Sequence, residues 1–102
     1  MVATEADLQL IAMLLRIDTD ADTLKIIRAY VSAAESWLHN AGVEPDYDDG
    51  LYTNAVAAYV GQQYDDPEGG TAKAGDVTLS AMAEQLRLAQ TAKKQEAGGD
   101  AV

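Results

Sequence analysis

Apolar positions along the chain recur at intervals of three and four, the spacing that lines one face of an α-helix. Four such stretches occur, divided by acidic segments and segments containing Gly or Pro. In the first, residues 5–15, Leu8, Ile11, Ala12 and Leu15 share a face. Thr4, with Asp7 three residues later, has the form of a capping box at its start. Arg16, Ile17 and Asp18 then lead out into an acidic turn.

The second stretch carries the strongest signal. Asp20 or Asp22 is placed to cap it, and Gly42 is placed to close it in the left-handed conformation. Between them Leu24, Ile27, Val31, Ala34, Leu38 and Ala41 form an unbroken seam, the buried stripe of an amphipathic helix. Burying Leu24, Ile27, Val31 and Leu38 contributes about 1.5–3 kcal/mol each before entropy is subtracted. A second stripe, Ile26, Tyr30, Ala33 and Trp37, runs beside the first. A solitary helix seldom needs so wide an apolar face, so this stripe is expected to meet a neighbouring subunit.

After a loop at residues 43–49, which holds Pro45 and the acids Glu44, Asp46, Asp48 and Asp49, a third helix is expected over residues 50–64. Asp48 or Asp49 would cap it. Its repeat is Tyr52, Ala55, Val56, Tyr59, Val60 and Gln63, with the small residues Ala57, Ala58 and Gly61 between them. Small residues let backbones approach closely, so this helix should be central. Asp65, Asp66, Pro67 and Glu68 end it. Residues 66–77 read as a long loop with room for a short hairpin. The fourth helix is expected over residues 79–90, capped by Asp76 or Thr78, with Leu79, Met82, Ala83 and Leu86 as its apolar face. The predicted fold is all-α: a small bundle of four main helices, with a long loop between the third and fourth. Residues 1–90 form the helical domain and residues 91–102 a polar, flexible tail.

Composition narrows the function. The chain has 102 residues, enough for one core. It carries 17 acidic against 7 basic residues, a formal charge of −10. So acidic a protein is not expected to grip nucleic acid, which takes clustered Lys or Arg. Cysteine is absent, which removes disulfides and thiolate metal sites. No apolar run approaches membrane-spanning length, and the start of the chain lacks the basic-then-apolar pattern of a secretory signal. Synthesis as a cytoplasmic protein, with no membrane partner, is the expectation.

Candidate chemistry is sparse. Asp18, Asp20 and Asp22 alternate like the opening of a calcium loop, but Thr23 and Ala29 stand where its Gly hinge and bidentate Glu belong. Acids favouring a helix N-terminus explain them better. Catalytic carboxylate pairs need one member desolvated, whereas the acids of residues 44–49 and 65–68 sit in polar loops. His39, the one histidine, has only Ser32 and Ser36 of its own helix for company and belongs to no nucleophile motif. Gly69, Gly70 and Lys73 lack the spacing of a phosphate-binding loop, and no strand precedes them. An acyl-carrier role would need Asp-Ser-Leu at a helix start, and that tripeptide is absent. No catalytic residue, metal or cofactor is expected.

Beyond composition, the order of pieces resembles the head–tail connector (head-completion adaptor) family of long-tailed bacteriophages. The pieces are Leu15-Arg16-Ile17-Asp18 closing a first helix, then the acids Asp20 and Asp22. Next comes a helix with Ile27, Tyr30, Ala33-Ala34-Glu35 and Trp37-Leu38. Tyr52, Ala55-Val56, Tyr59-Val60 and Tyr64 follow, ahead of the turn Asp65-Asp66-Pro67-Glu68, and then Leu79, Met82 and Leu86-Arg87. The likeness covers residues 4–88. The chain departs from the family in having no Phe and no basic residue in the turn after Asn40.

The resemblance implies a structural virion protein. Such adaptors form a ring of about twelve copies beneath the portal protein. They extend the DNA channel, and they dock the stopper or other tail-proximal head-completion protein. DNA passes through without specific binding. By position, Leu79, Met82, Leu86, Arg87, Lys93 and Lys94 would meet the portal, with Ile26, Tyr30, Ala33 and Trp37 between subunits. The acids Glu44, Asp46, Asp48, Asp49, Asp65, Asp66 and Glu68 would face the channel or its rim, where carboxylates repel phosphates. The alternative is a small acidic helical regulator, antitoxin-like, that wraps a basic partner.

Overall fold

A computed structural model describes residues 2–65 and 72–99, with side chains over residues 2–64 and 79–93. The chain forms α1 (Glu5–Leu14), α2 (Ala21–Asn40), α3 (Gly50–Asp65) and α4 (Ala72–Gly99), with no strand among the described residues. The all-α bundle of four helices expected from the periodicity is the fold.

Local chemistry sets the helix ends. At Thr4 the capping box is complete: the Asp7 amide donates to Thr4 Oγ1 at 3.2 Å, and the Thr4 amide donates to the Asp7 carboxylate at 2.8 Å. Asp20 caps α2, accepting from the Thr23 amide at 3.2 Å and the Thr23 hydroxyl at 2.6 Å. Those hydrogen bonds hold the Asp20 carboxyl below its ordinary range. Asp49 opens α3, accepting from the Leu51 amide at 3.0 Å.

Helices α1 and α2 end in the same closing turn. Gly42 adopts φ +89°, and the Gly42 and Val43 amides donate back to the His39 and Leu38 carbonyls. After α1 the left-handed position falls on Arg16, φ +57°, with the Arg16 and Ile17 amides donating to Met13 and Ala12. A non-glycine residue in that conformation costs about 1–2 kcal/mol.

Ile27, Val31, Ala34 and Leu38 of α2 are buried, with Leu24 and Ala41 partly buried at the ends of the seam. They meet Leu8, Ile11 and Ala12 of α1 and Tyr52, Ala55, Val56 and Val60 of α3. Helix α3 packs on all three other helices and is central, as its small residues predict. A Cβ on Gly61 would come within 3.0 Å of Leu15, which shows how closely the end of α1 seats on α3.

The fourth helix departs most from the sequence pattern. It was expected over residues 79–90, and it spans Ala72–Gly99. The hairpin considered for residues 66–77 is therefore excluded over its second half, which is helical. Residues 66–71 lie outside the described residues. Past Gln90 the backbone stays helical as far as Gly99, through residues expected to form the tail. Ala, Gln, Lys and Glu favour helix without needing a partner face. With no large apolar side chain from Thr91 to Glu96, helix propensity is the support that the sequence supplies there.

Candidate interaction surfaces

Among the described residues, two groups of exposed apolar side chains flank α2 on opposite sides. One belongs to α1. Its inner face supplies Leu8, Ile11 and Ala12 to the core, yet its outer face carries Leu10, Met13 and Leu14, exposed at 45%, 69% and 50%. A helix apolar on both sides is ordinarily enclosed on both sides.

The other surface belongs to the second stripe of α2. Tyr30 and Trp37 are partly buried against the core, and Trp37 meets the Tyr59 ring with centroids 6.1 Å apart. Ile26, 48% exposed, and the exposed Ala33 are left open. The stripe is thus half covered within the chain.

Helix α1 lies along the other flank of α2. Glu5 pairs with Arg28 at 2.8 Å, and the N-terminal segment is held by Glu35. Residues two apart on a helix point to roughly opposite sides, so Ile26 and Ala33 face away from Arg28, Glu35 and α1.

Glu35 is the one buried acid among the described residues. Its carboxylate accepts from the Val2 amide at 3.1 Å, the Ala3 amide at 3.0 Å and the Tyr47 hydroxyl at 2.7 Å. Burial, then the hydrogen bond to Glu35, pushes the Tyr47 hydroxyl far above its ordinary range. Tyr47 meets Tyr52 edge-on at 5.1 Å. Burial and the charge of Glu35 push Tyr52 up to about 12. The Tyr52 hydroxyl is buried with the Tyr47 hydroxyl as its polar neighbour, and makes no well-formed hydrogen bond. Beside Glu35 an open groove of about 400 Å³ is lined by Ser32, Ser36, His39 and Asn40. Among the described residues neither serine is hydrogen-bonded to His39, and no three acids or histidines converge as a metal site.

The residues assigned to the portal divide. Leu79 and Leu86 are buried in the chain's own core and Met82 packs against it, so these three face inward. The reason is the seam itself: the periodicity that marked them as an apolar face also buries them on α3. Facing outward on α4 are Leu88, 54% exposed, and the exposed Lys93. Arg87 pairs with Glu84 and lies against Gly42. The Lys94 side chain lies outside the described residues.

The acids of residues 44–49 follow the closing turn of α2. Glu44 and Asp48 are exposed, while Asp46 and Asp49 are half-buried and accept from the Asp48 and Leu51 amides. Gln90 ties this loop to α4: its side chain accepts from the Glu44 amide and donates to the Glu44 carbonyl, both at 2.9 Å. A shallow cleft of about 260 Å³ there brings Lys93 near Glu44 and Asp46. The side chains of Asp65, Asp66 and Glu68 lie outside the described residues.

Sequence reasoning missed Glu35 and the outer face of α1. The apolar run through Ile11 to Leu15 carried the second signal; nothing local carried the first. Among the described residues no helix is long and apolar enough to cross a membrane. No family model, curated protein or solved structure matches the chain.

Proposed function

We propose that the chain is a structural virion protein, a head–tail adaptor that joins a ring of its own copies to the portal of a long-tailed phage. The observation that carries this reading is the outer face of α1, where Leu10, Met13 and Leu14 stand exposed on a helix already apolar inside. Such a helix suits a chain whose working state is an assembly. The order of helices and the formal charge of −10 support the same reading. A channel wall rich in carboxylates lets DNA slide without sticking. The exposed side of α4, with Leu88 and Lys93, would then meet the portal, and the acids of residues 44–49 would face the channel or its rim.

The test is retention on a purified portal ring, followed by electron microscopy. A second ring stacked beneath the portal is expected. A portal that passes through untouched removes the adaptor reading. The acidic surface also favours a second reading, a regulator that wraps a basic partner. A tight one-to-one complex with such a protein, and no ring, would mark it.

A further inference from the structure

We infer that copies of this chain associate head to tail, with the outer face of α1 from one copy seated on the open flank of α2 in the next. The shapes complement each other. Leu10, Met13 and Leu14 form a ridge of long side chains, whereas the open flank of α2 is a trough: exposed Ala29 and Ala33, with Ile26 at one end. Ridges seat in grooves, and small residues let the axes approach. A two-fold contact of α1 on α1 would instead set ridge against ridge.

Direction follows from the fold. Within one chain α1 runs antiparallel to α2, since Val2 lies at Glu35, Glu5 at Arg28, and a short turn joins the other ends. Placed antiparallel on a neighbour's α2 as well, α1 becomes a helix enclosed on both sides. Every α2 then points the same way, as successive subunits in a head-to-tail array require.

Charge agrees with this register. Arg16 stands at the end of the α1 ridge, and Asp22 lies one helical turn before Ile26 on the trough. Both are exposed, and neither has an ion-pair partner among the described residues. In the antiparallel register Arg16 meets the neighbour's Asp22, and the negative end of α1 meets the positive end of the neighbour's α2. The contact deepens the adaptor reading and rests on it for closure into a ring; the pairing itself stands on the two faces.

Because the chain contains no cysteine, introduced pairs report this contact cleanly. Met13→Cys and Ala29→Cys variants, mixed under mild oxidation, are expected to cross-link about ten-fold faster than either alone, since a disulfide needs close, oriented Cβ atoms. One chain carrying both changes should give a ladder of oligomers, against a Met13→Cys, Ser80→Cys control, also with two thiols, that does not. Arg16→Asp in the Met13→Cys partner should slow the mixed reaction, and Asp22→Arg in the Ala29→Cys partner should restore it. Circular dichroism checks that each exposed-site variant folds. Cross-linking no faster than the control overturns the contact. So does rapid self-linking of Met13→Cys, which would mean a two-fold pair, and so does a rate that both charge changes leave unmoved. A ladder from a chain that portal rings do not retain would sink the adaptor reading and leave the contact standing.

Discussion

The Tyr47 hydroxyl donates to Glu35 Oε2 at 2.7 Å, a bond from the acidic loop into the middle of α2. The same carboxylate holds the Val2 and Ala3 amides. One side chain therefore fastens the N-terminal segment and the 43–49 loop to a single helix. Since Val2 leads directly into α1, Glu35 also fixes where the outer ridge of α1 stands.

Replacing Glu35 with Ala should consequently destabilise the chain more than its partners do. It strands two backbone amides and a phenol, and hydrogen bonds to a charged group are each worth about 1.5–3 kcal/mol. Urea unfolding should show a loss at least as large as one such bond, with Tyr47→Phe losing less. An unchanged midpoint for Glu35→Ala would show that water replaces the carboxylate without penalty.

Alkaline pH acts on the same cluster. Tyr47 and Tyr52 have hydroxyls raised above their ordinary value of 10.0, Tyr52 to about 12. Below pH 10 both stay protonated, folded or unfolded, and their contribution is fully present. Above it the unfolded chain sheds these protons first, so stability is lost as pH climbs, from about 10 through 12 for Tyr52. Urea midpoints should fall across that window. The fall should be shallower in a Tyr47→Phe, Tyr52→Phe double variant, and equal slopes would contradict the linkage.

Tyr52→Phe alone should do the opposite of most core changes at neutral pH. The ring is fully buried, and its hydroxyl has the Tyr47 hydroxyl as its polar neighbour but makes no well-formed hydrogen bond. Deleting an unsatisfied buried hydroxyl should recover part of a penalty of about 1–3 kcal/mol. A midpoint that drops instead would reveal a hydrogen bond that the ring makes through water.

These residues also mark what could be read in advance. The seam of α2 was legible because Ile27, Val31, Ala34 and Leu38 satisfy one period without exception, and Gly42 punctuates it. Helix α3 was legible through its small residues. The Glu35 cluster was not, because its amide partners lie 32 and 33 residues away and its phenol sits in an irregular loop. The outer face of α1 hid for another reason: apolar side chains on two faces, in the run from Leu10 to Leu15, blur the periodicity. The ends of α4 were missed because residues such as Ala, Gln and Lys support helix without leaving an apolar stripe.

The two closing turns predict opposite outcomes for opposite substitutions. Arg16→Gly places the residue without a Cβ where the backbone is left-handed, and should stabilise the chain by about 1 kcal/mol. Gly42→Ala puts a Cβ into that conformation and 3.2 Å from Arg87 Cδ, and should destabilise it by about 1 kcal/mol or more. Thermal unfolding of both variants reads the difference. A loss of stability in Arg16→Gly would mean that the arginine makes an intramolecular contact worth more than its strain.

The acidic loop offers a test in the virion that leaves the fold alone. Asn caps helices about as well as Asp, so Asp46→Asn, Asp48→Asn and Asp49→Asn together should preserve the start of α3 while removing three negative charges. If these acids face the channel, the wall becomes less repulsive to phosphate, and DNA should leave the head more slowly. The slowing should be greatest at low salt, where charges act over about 30 Å rather than 8 Å. Ejection followed by a dye that reports free DNA measures this directly. Identical kinetics for triple variant and parent at every salt concentration would place the loop away from the DNA path.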